Sequence, residues 1–219
     1  MCNKKKYNEI GDKMTLITPE GVIIKDPSNI FDNYNQRLSY THAISWHLTN
    51  QNIIDTLCKY SPVLSVGSGK GFTESIAKKN GCDIICTDKC NVKNNTYHKI
   101  IGANITEYEG YNLYLNNKPF MDIEIIDAVK AIKKYPDRNI FMAWCPYLDD
   151  MGYKVVKSIK NQVLIYIGEP EGGCTGDDEM FKYLRDYFTE IETYCIPQWA
   201  GLHDRLIIYK KSNKMHCNK

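Results

Sequence analysis

Short apolar runs alternate along this chain with segments whose apolar residues recur every three or four positions. The first pattern is typical of buried strands and the second of amphipathic helices. Strands are predicted at 63–66, 83–87, 121–126, 139–144 and 162–167, and helices at 72–80, 127–135, 149–160 and 177–188. A further helix is expected after a cap at Thr49, and shorter strands at 15–17 and 22–24. Strands that alternate with helices predict a parallel sheet covered by helices on both faces.

The end of the chain departs from this alternation. Two predicted strands, 190–196 and 204–210, are joined by a loop without a helical pattern, which is typical of an antiparallel hairpin. The predicted fold class is therefore α/β, a Rossmann-like doubly wound sheet of about seven strands that ends in an antiparallel hairpin.

The chain is expected to form one folded domain with two appendages. We expect residues 1–40 to be an N-terminal extension or lid, residues 41–210 the domain, and residues 211–219 a basic tail. The segment 89–118 is rich in asparagine and weakly patterned, and we interpret it as a long excursion beside the site.

Composition limits the classes of partner. The formal net charge of +2 is too small to indicate nucleic acid by electrostatics alone. No apolar stretch approaches the roughly 20 residues needed to span a bilayer, so no membrane partner is expected. The nine cysteines lack zinc-site spacing and favour free thiols without a metal in a reducing, cytoplasmic setting. The bias toward lysine, asparagine, isoleucine and tyrosine indicates an AT-rich genome, for example that of a large DNA virus, whose protein would lie in the host cytoplasm.

A glycine-rich turn follows the predicted strand 63–66. Its pattern is Gly67-x-Gly69-x-Gly71, which differs from a phosphate-binding loop because no serine or threonine follows the Gly-Lys pair. The third glycine also comes one residue too early for a dinucleotide fingerprint. The pattern instead suits a ligand that lies against the backbone, where a Cβ would obstruct it.

Asp88 ends the next predicted strand and should lie beside the same turn. In a parallel sheet the carboxyl ends of neighbouring strands meet at one edge, so this carboxylate can accept hydrogen bonds from a ligand's ribose hydroxyls. Each such charged hydrogen bond contributes roughly 1.5–3 kcal/mol. The alternative is that the glycines make only a tight turn and that Asp88 is a loop residue.

Taken together, these features resemble the class I S-adenosylmethionine-dependent methyltransferase superfamily over residues 41–210. Within it, the chain is similar to a largely uncharacterised methyltransferase-like group, and that resemblance is carried by residues 45–46, 66–71, 88, 144–147, 168–178 and 196–206. Two positions depart from the superfamily. Ser65 stands where an acidic residue is usual, and Trp144-Cys145-Pro146-Tyr147 replaces the Asp/Asn-Pro-Pro-Tyr tetrad of amino-group methyltransferases.

The resemblance implies a set of site residues. Those expected to bind the cofactor S-adenosylmethionine are Trp46, Gly67, Ser68, Gly69, Gly71, Asp88, Asp127 and Trp144, and those expected to act in catalysis are Tyr147, Glu169 and His203.

Simpler interpretations of several of these residues remain open. Asp127 also fits a helix N-cap, and Asp177 or Asp178 fits the cap of the helix that follows the glycine-rich loop. Trp46 and Trp144 also fit core packing, and His203 fits a loop histidine without a catalytic role.

The function expected from this resemblance is methyl transfer from S-adenosylmethionine to an unidentified acceptor. A small molecule is favoured because no second recognition domain is evident. One alternative is a protein that binds S-adenosylmethionine or its product without turnover. Another is an RNA methyltransferase that uses the segment 89–118 and the basic tail as contacts.

Overall fold

The computed structural model describes residues 15–20, 22–90 and 118–212. The strands are β1 Leu16–Ile17, β2 Thr49–Asn50, β3 Val63–Val66, β4 Ile84–Asp88, β5 Ile123–Ile125, β6 Asn139–Ala143, β7 Val163–Gly168, β8 Phe188–Cys195 and β9 Arg205–Lys211. The helices are α1 Ile30–Ala43, α2 Gln51–Lys59, α3 Phe72–Lys79, α4 Ala128–Lys134, α5 Met151–Ser158 and α6 Asp178–Tyr187.

Seven strands form the main sheet in the order β5-β4-β3-β6-β7-β9-β8. The first five are parallel to their neighbours, whereas β9 runs antiparallel to β7 and β8 antiparallel to β9. This arrangement confirms the predicted doubly wound α/β sheet and its terminal hairpin.

The alternation of side chains along β3 supplies apolar surface to both faces of the sheet. Leu64 and Val66 pack in one cluster with residues of α4, α5 and α6, while Val63 packs in the other with residues of α2 and α3. All three side chains are almost completely buried. Because successive residues of a strand point to opposite faces, one short apolar run holds both helical layers.

Side-chain caps begin three of the helices. Asp127 Oδ1 accepts hydrogen bonds from the backbone N–H groups of Val129 and Lys130, and Asp177 Oδ1 accepts one from Met180. These two caps confirm the prediction. The expected cap at Thr49 is wrong, because it is Asn50 whose side chain accepts from the start of α2.

The N-terminal part differs most from the prediction. Residues 22–24 form no strand, whereas β1 pairs antiparallel with β2, a strand that was not predicted. Helix α1 was also not predicted, and it crosses the boundary drawn at residue 40. These elements do not decide where a domain begins or ends, so the division into extension, domain and tail remains a prediction.

Other expectations fall largely outside the described residues. Of the segment 89–118, the stretch 91–117 lies outside them, as do residues 213–219 of the basic tail. No helix in the described ranges is both long and apolar enough to cross a membrane.

The order of the strands also marks where a ligand can bind. From β3 the chain moves outward to β4 and β5, and then returns to the other side of β3 with β6 and β7. In open α/β sheets, the crevice at such a reversal lies at the carboxyl ends of the strands and accommodates ligands. Here the reversal lies between β3 and β6.

Candidate active site

The glycine turn follows β3 directly at this crevice. Gly67, Gly69 and Gly71 have φ angles of 67°, 56° and 70°, in the left-handed region that other residues adopt only with strain. A Cβ at Gly69 would meet no atom within 4 Å, whereas at Gly67 it would lie 3.0 Å from the Met151 methyl group. The backbone is therefore open to a ligand at Gly69, and Met151 lies beside the first glycine.

Asp88 points toward this turn. Its Oδ2 accepts a hydrogen bond from the Gly69 backbone N–H at 2.9 Å, and its Oδ1 accepts one from Cys90 N–H at 2.8 Å. Only 8% of the residue is exposed. Burial raises the pKa of Asp88, and the backbone N–H groups that face its carboxylate oppose that rise.

A second carboxyl group lies beneath the turn. The Ser65 hydroxyl donates a 2.6 Å hydrogen bond to Glu74 Oε1, and Glu74 is 4% exposed. Burial raises the pKa of Glu74 to about 7, and the nearby Asp88 adds to the rise. The site thus contains an acidic group next to Ser65, the position at which the superfamily that the sequence resembles usually has an acidic residue. Glu74 was not predicted as a site residue, because it lies in a helix and matches no motif.

The other residues of the turn attach it to its surroundings. Both the backbone N–H and the hydroxyl of Ser68 donate to the carbonyl of Thr87, which precedes Asp88. Lys70 is buried and donates from Nζ to the carbonyl of Ala43 at 3.1 Å, and burial lowers the pKa of this ammonium group. Lys70 therefore connects the turn to the end of α1.

Across the crevice, Trp46 stacks on Trp144, with ring centroids 5.5 Å apart. The Arg37 guanidinium lies 5.3 Å from the centroid of the Trp144 ring and 5.9 Å from that of Trp46. Trp144 has a φ of 51°, an uncommon conformation for a bulky residue, and strained residues of this kind cluster at functional sites. The structure thus brings both predicted tryptophans together and adds an arginine that the sequence did not suggest.

Asp204 holds the Trp144 ring in place and is itself unusual. Its Oδ2 accepts a hydrogen bond from the indole N–H at 2.9 Å, whereas its buried Oδ1 has no partner in the described part of the chain. Burial raises the pKa of Asp204 to about 6. Asp204 belongs to the segment 196–206 that carries the resemblance, but it was not predicted as a site residue, because its role comes from contacts with distant segments.

The predicted catalytic residues lie near one another around a groove of about 540 Å³. Glu169 is buried, and its carboxylate accepts from the backbone N–H of Cys174 at 2.7 Å and of His203 at 3.0 Å. The exposed His203 ring has Nδ1 3.5 Å from Glu169 Oε1, and Tyr147 is 57% exposed at the rim. Burial acts to raise the pKa of Glu169, but these hydrogen bonds outweigh it and the pKa is lowered.

Asp127 was predicted to contact the cofactor, but the hydrogen bonds that it forms in the structure cap a helix. It is exposed and caps α4, as described above. The preceding residue, Ile126, donates its backbone N–H to the Asp88 carbonyl at 2.9 Å, so the start of α4 is attached near the glycine turn. A contact between Asp127 and an adenine ring remains a prediction.

No protein-family model and no curated protein matches the sequence. Among solved structures, the chain is similar to a protein of the NADB-Rossmann superfamily from Streptococcus agalactiae, with 13% identity and a TM-score of 0.46, over 76% of this chain and 71% of that one. It is also similar to magnesium protoporphyrin IX methyltransferase from Synechocystis PCC 6803 with bound S-adenosylmethionine, with 12% identity and a TM-score of 0.49, over 88% of this chain and 100% of that one. At such identities, the roles of the site residues rest on the geometry described above.

Proposed function

We propose that this protein binds S-adenosylmethionine in the crevice between β3 and β6 and transfers its methyl group to a small molecule. The observation that carries the proposal is the Asp88 carboxylate, which faces a glycine turn whose backbone is open at Gly69. Asp88 and Gly69 are joined by a 2.9 Å hydrogen bond, so the two elements form one site.

The residues present suit this cofactor. The left-handed glycines permit close approach of a nucleoside, and the Asp88 oxygens retain lone pairs for the two ribose hydroxyls. Ser68 contributes backbone to the same turn, and Asp127 stands at the start of α4 for the adenine. The buried Glu74 is positioned under the turn by Ser65, and we assign it to the amino-acid end of the cofactor.

When bound, S-adenosylmethionine supplies a methyl group on a positively charged sulfur. The chain's main task is then to bring a nucleophile into line, and positioning of this kind lowers barriers by several kcal/mol. We assign Trp46 and Trp144 to the wall beside the sulfur, where aromatic faces contribute about 0.5–2 kcal/mol through cation–π attraction.

The predicted catalytic residues take different roles in this proposal. Glu169 holds the loop 169–174 against His203 through two backbone hydrogen bonds, so it positions the groove. The exposed His203 imidazole is the group available to take a proton from the acceptor. Tyr147 forms the rim over which the acceptor enters.

A ligand-dependent thermal shift tests the cofactor assignment. S-adenosylmethionine at 100 times its dissociation constant should stabilise the fold by about 2.7 kcal/mol, and S-adenosylhomocysteine should act similarly. Replacing Asp88→Ala should weaken binding about 10- to 100-fold, because it removes charged hydrogen bonds to the ribose. The matched control is Asp186→Ala, an exposed carboxylate on α6. If neither compound shifts the melting temperature, or if Asp88→Ala binds as tightly as the unmodified protein, the proposal is wrong.

A further inference from the structure

A buried histidine directly follows Trp46, and none of the roles assigned above uses it. His47 is 5% exposed, and its ring lies nearly perpendicular to that of Phe141, with the ring centroids 6.3 Å apart. Burial lowers the pKa of His47 to about 4, so the imidazole is neutral at pH 7. A neutral imidazole has one N–H donor and one acceptor nitrogen, and in a buried ring both need hydrogen-bond partners.

Both ring nitrogens of His47 have such partners. Nδ1 lies 3.1 Å from the Ser45 hydroxyl oxygen, and Nε2 lies 2.8 Å from that of Thr73. The Thr73 hydroxyl also pairs with that of Thr49 at 2.7 Å. Since Thr73 lies in the first turn of α3, the imidazole connects the segment that carries Trp46 to the helix that follows the glycine turn.

A second hydrogen bond joins the same two parts of the chain on the other side of Trp46. Lys70, within the glycine turn, donates from Nζ to the carbonyl of Ala43 at 3.1 Å. Trp46 therefore lies between two attachments, one at Ala43 and one at His47. The attachment at His47 joins two side chains, so substitutions can remove it without altering the backbone.

The placement of Trp46 affects the width of the crevice. Its indole stacks on that of Trp144, which follows β6, whereas the glycine turn follows β3. A shift of Trp46 relative to α3 would therefore change the space between the two tryptophans and the turn. Groups that bind one ligand have to be held within about 0.5 Å of their productive positions, and hydrogen bonds from buried neighbours provide this support.

We propose that His47 is a positioning residue, which acts through Thr73 to hold Trp46 and Trp144 at the distance from the glycine turn that lets both sides contact one S-adenosylmethionine molecule. The inference rests on the methyl-transfer function proposed above, because it adds a residue to that site. His47 itself contacts no reacting atom in this arrangement.

Substitutions at both ends of the hydrogen bond test the inference. Thr73→Val keeps the shape of the side chain and removes the hydroxyl, whereas Thr73→Ser retains it. His47→Asn is too short to reach Thr73, whereas the longer amide in His47→Gln replaces the imidazole Nε2. In calorimetric titration with S-adenosylhomocysteine, Thr73→Val and His47→Asn should bind at least about fivefold more weakly than the unmodified protein, and Thr73→Ser and His47→Gln less than about twofold more weakly.

A matched control separates positioning from a loss of stability. Thr56→Val removes another buried threonine hydroxyl, which donates to the Asn52 carbonyl within α2 at 2.7 Å. We expect it to lower stability in urea unfolding about as much as Thr73→Val does, and to leave the affinity for S-adenosylhomocysteine unchanged.

A spectroscopic measurement on the free protein reports the tryptophans directly. Stacked indoles couple electronically, so circular dichroism is sensitive to the arrangement of Trp46 and Trp144. The dichroism of this pair should weaken in Thr73→Val and stay unchanged in Thr56→Val.

The outcomes separate this inference from the proposed function. If S-adenosylhomocysteine binds equally well to the unmodified protein, Thr73→Val and His47→Asn, the positioning role is wrong and the cofactor assignment stands. The same holds if Thr56→Val weakens binding as much as Thr73→Val does, or if Thr73→Ser and His47→Gln restore none of the affinity.

If the unmodified protein does not bind S-adenosylhomocysteine, the methyl-transfer function is wrong and the dichroism decides the inference. A signal that weakens in Thr73→Val alone would support the positioning of Trp46 by His47. A signal that is the same in Thr73→Val and the unmodified protein would overturn it.

Discussion

The two halves of the crevice are built in different ways. The cofactor half consists of the glycine turn, Asp88, and the Ser65–Glu74 pair, all of which lie between residues 65 and 88. The acceptor half consists of Asp204 and the groove around Glu169, which depend on contacts with Trp144 and between loops that are far apart in the chain. The first half depends mainly on backbone conformation, and the second on side-chain contacts across the fold.

The two halves also differ in whether their buried carboxyl groups have hydrogen-bond partners. In the cofactor half, Glu74 receives a hydrogen bond from the Ser65 hydroxyl, and both oxygens of Asp88 accept from backbone N–H groups. In the acceptor half, Asp204 Oδ1 has no partner among the described residues. The buried carboxyl groups of the cofactor half therefore have hydrogen bonds within the chain, whereas the acceptor half contains a buried carboxylate oxygen that has none in the described residues.

The largest effect is expected from the buried carboxyl group of Glu74 in the cofactor half. The folded-state pKa of Glu74 is raised from 4.5 to about 7, so the folded protein binds its proton more tightly than the unfolded chain does. Stability should therefore fall as the pH rises from about 4.5 to about 7, by a total of about 3 kcal/mol. Glu74→Gln retains an acceptor for Ser65 and should remove this loss.

Urea unfolding at pH 5 and pH 8 measures this effect. Relative to the unmodified protein, Glu74→Gln should gain much more stability at pH 8 than at pH 5. The control, Glu179→Gln, makes the same chemical change at an exposed glutamate in the first turn of α6. If Glu74→Gln gains equal stability at the two pH values, ionisation of Glu74 does not destabilise the folded protein. The cofactor half would then contain no buried charge that lowers stability.

The backbone of the cofactor half should give the next largest effect. Gly71→Ala and Gly81→Ala both place a Cβ on a residue with positive φ, which costs roughly 1–2 kcal/mol. At Gly71 the new Cβ would also lie 3.2 Å from Ile123 Cδ1, whereas at Gly81 it would meet nothing within 4 Å. Gly71→Ala should therefore lose about 1 kcal/mol more of unfolding free energy than Gly81→Ala.

Thermal and urea unfolding of the two variants decide this point. Equal losses would mean that the turn tolerates a side chain at Gly71. The stability of the cofactor half would then depend less on the backbone conformation of the glycine turn than we infer.

The same contrast explains what the sequence could predict. The seven strands of the main sheet, its terminal hairpin and the glycine turn follow from local patterns, since apolar periodicity and glycine spacing involve residues that are close together in the sequence. The roles of Arg37 and Asp204 depend on contacts with Trp144, more than 50 positions away for each, and no local pattern encodes them. Helix α1 was missed for a related reason, because its apolar residues are few and its buried face is defined by packing against Trp199.

The smallest effect is expected at the rim of the acceptor half. Tyr147 is 57% exposed, so Tyr147→Leu should change the free energy of unfolding by no more than about 0.5 kcal/mol. Tyr166→Leu is the matched control, because this tyrosine is fully buried and its hydroxyl pairs with Thr175 at 2.7 Å. It should lose more than about 2 kcal/mol, since both packing and a buried hydrogen bond are removed.

Equilibrium urea unfolding of these two variants sharpens the comparison between the halves. A loss above about 1 kcal/mol for Tyr147→Leu would place its ring in the core, beyond the range usual for surface substitutions. The acceptor half would then be stabilised at its entrance as well as in its wall. A negligible loss would mean that the Tyr147 ring contributes little to the stability of the fold, as its exposure at the rim implies.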